Sequence, residues 1–131
     1  MAHRAAAAAV TIACLIPTAS LGASLGVHFR WAGTAACSGT PPAFSLTGVP
    51  KATKYLDFQL VDLDKLDFVH GGGQIPYAGS GKIPAGAFSG TYQGPCPPPG
   101  VAHTYQWTVK ALDESKTNLL ASGTATRKFP P

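Results

Sequence analysis

The chain has 131 residues, 45% hydrophobic and 12% charged, with a formal net charge of +4. That length fits one domain, and 15 glycines with 12 prolines suit a loop-rich β domain better than a helical bundle. The basic residues form no Lys/Arg run, which speaks against nucleic-acid binding, and no apolar run beyond the N-terminus reaches the roughly 20 residues of a membrane-spanning helix.

The N-terminus is laid out like a secretory signal. His3 and Arg4 make a short basic region, Ala5 to Ile16 an apolar one, and Pro17 to Ser24 a small-residue stretch suited to cleavage after Ser20, Ala23 or Ser24. With the last of these, residues 1–24 are a signal peptide and 25–131 an exported domain, periplasmic or secreted. Lipidation at Cys14 is disfavoured, because Thr11-Ile12-Ala13 lacks the usual leucine and the apolar run continues past the cysteine. Cleavage leaves Cys37 and Cys96, and two cysteines in an exported domain predict a disulfide.

Gly26 to Trp31 (GVHFRW) reads as a first strand. Ala32 to Pro42 is a loop carrying Cys37, and Ala43 to Leu46 is a short strand. Tyr55 to Asp62 (YLDFQLVD) alternates cleanly, with Leu56, Phe58 and Leu60 on one face. Asp62 shares their parity. A carboxylate ending an apolar row is costly to bury unpaired, so either the strand has ended and Asp62 is solvated, or it lines a polar pocket. Leu63 to Phe68 is a loop. Val69-His70 starts an extended segment that Gly71-Gly72-Gly73 interrupts before Gln74 to Tyr77. Ala78 to Gly90 is a Gly/Pro-rich loop with short β pieces.

Tyr92 to Tyr105 (YQGPCPPPGVAHTY) is the centre of the pattern. Four prolines make it a stiff loop, and it runs into the strand Thr104 to Asp113. There Tyr105, Trp107, Val109 and Ala111 share one face, and His103 has their parity. Asp113 to Asn118 is a turn, and Leu119 to Phe129 is a last strand with a bulge expected near Gly123.

Three motif look-alikes fail. His70-Gly71-Gly72-Gly73 lacks the G-x-S-x-G elbow that a lipase-type oxyanion string accompanies. Gly79-Ser80-Gly81-Lys82 has Pro76 where a phosphate loop needs glycine and Ile83 where it needs Ser/Thr. Asp62, Asp64 and Asp67 lack the glycine and terminal Glu of a calcium loop. No nucleophile–base–oxyanion set is legible, so the chain reads as a non-enzyme without cofactor or metal. Two imidazoles beside the backbone N–H groups of a Gly/Pro loop instead make a small anion site.

These residues resemble the phosphatidylethanolamine-binding protein family, in its bacterial Raf kinase inhibitor-like branch. Cys37-Ser38-Gly39 with Pro41 to Pro50 is similar to its C-D-G…S-P-x-L-x-W-x-G-x-P opening, and Asp62-Leu63-Asp64 to D-P-D. Val69-His70 is similar to W-x-H, and Tyr92 to Tyr105 to Y-x-G-P-C-P-P-x-G…H-R-Y. Ala111-Leu112-Asp113 follows as in Y-A-L-D. The resemblance implies an all-β fold, a small antiparallel β-sandwich with little helix. It implies a pocket at one sheet end, lined by Asp62, His70, Tyr92, Cys96, Pro97, Pro98, His103 and Tyr105, that takes a small anion or phospholipid headgroup. Lys65 and Lys82 are candidate rim charges. The alternative is a protein-interaction or inhibitor domain that uses the Pro-rich loop. Neither nucleic acid nor stable membrane insertion is expected. Leu63 stands for the family's proline, Thr104 for its arginine and glycines for the apolar residues after the histidine, and the segment between Asp113 and Leu119 is short.

Overall fold

A computed structural model describes residues 11–14 and 23–131, so the expected leader lies largely outside the described residues. The described part contains eight strands and no helix: β1 (Ala23–Ser24), β2 (Gly26–Phe29), β3 (Phe44–Thr47), β4 (Tyr55–Asp62), β5 (Gly72–Pro76), β6 (Lys82–Ile83), β7 (His103–Leu112) and β8 (Leu119–Phe129). They form a five-stranded sheet, β1-β8-β7-β4-β5, and a three-stranded sheet, β2-β3-β6. This is the expected all-β, two-sheet architecture, antiparallel except for the short parallel pairing of β1 with β8.

The alternation in β4 and β7 sets the core. Leu56, Phe58 and Leu60 point inward beside Tyr105, Trp107, Val109 and Ala111, all buried. The smaller sheet covers them through Phe44 of β3, whose ring lies 4.9 Å from Phe58 and 5.2 Å from Trp107. Trp31, just past β2, packs edge-on to Tyr105 and Phe129 at 6.1 and 5.9 Å. Edge-to-face aromatic packing contributes beyond the area buried, and here it joins the two layers.

Two local expectations are corrected. The three glycines do not interrupt a strand; β5 begins within them at Gly72. A Cβ on Gly72 would run into the carbonyl oxygen of Phe58, and one on Gly71, which has a φ of +71°, into that of Thr91. Backbone approach on both sides, rather than a turn, requires glycine there. The bulge is not at Gly123 either. Ala111 pairs with Ala121 and Leu112 with Leu119, so Leu120 is the extra residue. Gly123 makes room for Leu25, whose carbonyl oxygen occupies the space a Cβ would need.

The Cys37–Cys96 disulfide is present and joins residues 59 apart. Around it the Cys37 amide donates to Pro95 O at 2.7 Å and the Gly94 amide to Ser38 O at 2.7 Å. The loop after β2 and the Pro-rich loop before β7 are therefore held together by a covalent bond and two hydrogen bonds.

Candidate functional site

Asp62 ends β4 and His103 begins β7, and antiparallel pairing sets Asp62 opposite Tyr105. The row that carries Leu56, Phe58 and Leu60 thus ends on a carboxylate only 3% exposed. Of the two readings left open by the sequence, solvated or pocket-lining, solvation is excluded. The carboxylate is instead fully engaged. Its Oδ2 accepts from His103 Nδ1 at 2.7 Å, and its Oδ1 accepts from the Asp64 amide at 2.9 Å. Burial pushes the Asp62 carboxyl up. The His103 hydrogen bond, the Asp64 amide and the imidazole's charge outweigh that and hold it below the usual carboxylate value.

The loop after Asp62 is latched to β7. The Asp64 carboxylate accepts from the Thr104 amide at 2.6 Å, and the Leu63 amide donates to Thr104 O at 2.8 Å. The second bond needs an N–H at position 63. The family's proline could not donate it, so the departure to Leu63 adds a clasp between this loop and β7.

His70, also 3% exposed, is clamped to the Pro-rich loop. Its Nδ1 lies 2.8 Å from Gln93 O, and its own carbonyl accepts from the Gln93 amide at 2.9 Å. A carbonyl only accepts, so Nδ1 carries the proton and Nε2 is the free end of the ring. Nε2 is buried without a hydrogen-bond partner. The same logic applies to His103, whose Nδ1–H is given to Asp62. Both free nitrogens accept when the ring is neutral and donate when it is protonated. The Tyr105 ring joins the two histidines, 5.4 Å from His70 and 6.3 Å from His103. Its buried hydroxyl makes no hydrogen bond of good geometry. Burial pushes its phenol well up, and the charge of Asp62 adds to that.

The structure therefore brings Asp62, His70, His103 and Tyr105 together. Tyr92 is placed in the core, 5.4 Å from the Trp107 ring and 5.7 Å from Phe88, with its hydroxyl buried and unpartnered. Cys96 is taken up in the disulfide with Cys37. No hydrogen bond ties Pro97 or Pro98 to the histidines among the described residues; the Pro98 carbonyl accepts from the Val101 amide at 3.1 Å. Lys65 pairs with Asp67 at 3.3 Å, and Lys82 lies on β6, donating to Ser45. Two partners escaped the sequence reading: Phe68, whose ring sits 4.4 Å from that of His70, and the Gln93 carbonyl. A backbone acceptor leaves no residue-type signal. No cluster of three or more metal-ligating side chains occurs among the described residues.

Fold and site together define a class: a two-sheet β domain with a buried carboxylate–imidazole pair and a second buried imidazole at the end of its larger sheet. A family model for phosphatidylethanolamine-binding protein matches residues 16–129, and the chain belongs to that family. Two solved structures are similar to it. One is CT736 of Chlamydia trachomatis, a putative phosphatidylethanolamine-binding protein homologue. It is 18% identical, with a TM-score of 0.48, covering 70% of this chain and 81% of that one. The other is YbcL of E. coli, a member of the mammalian family, 18% identical, with a TM-score of 0.45, covering 70% and 80%. No curated protein matches.

Proposed function

We propose that the domain is an exported, non-catalytic binding module whose pocket takes a small anion or a phospholipid headgroup. Family membership supports the coarse reading of a binding-type protein. The observation that carries the finer reading is the His70 Nε2, buried and unpartnered within one ring contact of Tyr105, which in turn faces the Asp62–His103 pair. A buried polar atom without a partner costs stability, and an oxygen that accepts from the protonated ring, or a group that donates to the neutral one, would remove that cost. The Asp62 charge repels an anion, so binding of one depends on imidazoles that donate. Alternatively, the amine of an ethanolamine-type headgroup donates to Asp62 while its phosphate meets the rings.

Export is supported by the disulfide, which is compatible with an oxidising compartment. Calorimetric titration with phosphate and phosphorylethanolamine, compared with His103→Ala, tests the reading. Saturable binding that the substitution weakens is expected; equal or undetectable binding in both proteins refutes it. A protein-interaction role for the Pro-rich loop is favoured by one feature: Pro98, Pro99 and Val101 are exposed on a segment anchored by the disulfide.

A further inference from the structure

A second feature lies away from Asp62. It is a cleft of ≈ 620 Å³ against β2, β3 and β6, and its basic lining residues are His28, Arg30, Lys82 and Arg127. An adjoining cleft of ≈ 450 Å³ shares Arg30 and Arg127 and adds Lys128. No Asp or Glu side chain lines either of them; Pro131 lines the second. The acids lie elsewhere: Asp62, Asp64 and Asp67 around the loop after β4, Asp113 and Glu114 in the β7–β8 turn, and Asp57 opposite Lys110 in the larger sheet. Cations gathered without acidic side chains among them repel one another, and a bound anion relieves that repulsion.

The cations are also partly positioned. Arg127 Nε donates to Phe29 O at 2.8 Å, which fixes the guanidinium 6.0 Å over the Phe29 ring. Its terminal nitrogens make no hydrogen bond among the described residues. Lys82 Nζ donates to Ser45 Oγ at 3.0 Å and keeps its other protons. Arg30 is exposed, with no ion pair among the described residues. The remaining wall is apolar, from Pro42, Ala43 and Ala85. One side of the cleft is the loop that Cys37 staples to Cys96, which holds Ser38 and Thr40 in place.

We propose that this cleft binds a small amphiphilic anion, an acidic head group held by Arg30, Lys82 and Arg127 with a short apolar body along Pro42, Ala43 and Ala85. Its volume falls in the range of small-molecule pockets, about 300–1,000 Å³. The cleft shares no residue with the Asp62 pocket, so either proposal can fail without the other.

Hexyl phosphate is the probe, titrated into the oxidised, full domain and followed by backbone amide shifts. Saturable shifts at Ser45, Lys82 and Ala85 are expected, with 1-hexanol binding more weakly. Arg30→Glu and Lys82→Glu should each weaken binding about tenfold, the scale of one charge-assisted hydrogen bond, whereas Lys82→Arg retains it. Added salt should weaken binding as well. Both side chains are exposed, so the variants should keep the wild-type thermal melt. Shifts confined to His70 and His103, wild-type affinity in the charge-reversed variants, or no saturable binding would overturn the proposal.

Discussion

Asp62→Asn tests the electrostatic reading of the site. The wild-type carboxylate is 3% exposed and accepts two hydrogen bonds, one from an imidazole and one from a backbone amide. Hydrogen bonds to a charged group contribute about 1.5–3 kcal/mol each. The amide carboxamide can keep one acceptor in place but loses the charge, so a loss of about 2 kcal/mol is expected at pH 7. The pH dependence is the sharper readout. Asp62 has a folded-state value below its ordinary 3.8. Its contribution is therefore complete above that ordinary value and is lost as the pH falls through the lowered one. Urea denaturation of oxidised wild type and variant, from pH 7 to pH 2.5, should give a stability gap that narrows once the pH falls below the ordinary carboxylate value. Equal stability at pH 7, or a gap that does not change with pH, would refute the assignment of an ionised, hydrogen-bonded Asp62.

Three further outcomes follow from the same structure. Replacing both Cys37 and Cys96 with serine opens a loop of 59-residue separation and should cost about 4 kcal/mol in chemical denaturation. Gly72→Ala pushes a Cβ into the Phe58 carbonyl; it should cost roughly 2 kcal/mol or more and raise hydrogen exchange in β5 while sparing the β7–β8 ladder. Phe58→Ala removes a ring packed on Phe44, Phe88 and Trp107 and should cost about 3–5 kcal/mol by thermal or urea melts.

Much of this was legible before any coordinates. The period-two rows of β4 and β7 gave both strands to within a residue, and the parity of Asp62 and His103 put them at the ends of those rows, where they meet. The 119–129 strand was read with its observed bounds. What was not legible depended on distant backbone. The glycines of β5 look like a break because their reason, the approach of Phe58 and Thr91, lies in other segments. Gly123 looks like a bulge for the same reason, with Leu25 crossing over it. His70 is a candidate from the residues as one of two imidazoles beside the Gly/Pro loop, but its partner, a main-chain oxygen on Gln93, leaves no residue-type signal. The cationic cleft draws on positions 28, 30, 82 and 127, a dispersion along the chain that hides any patch. Ala23–Ser24, which the boundary taken from the sequence assigns to the signal peptide, pair with β8 as β1.

The most direct test of the Asp62–His70–His103 pocket follows the Nε2 nitrogens of both histidines by long-range proton–nitrogen NMR during a phosphorylethanolamine titration. The account predicts that both resonances move together with a single saturation curve, and that His103→Ala weakens the response at His70. Movement of one ring alone, or of neither at saturating ligand, would contradict it.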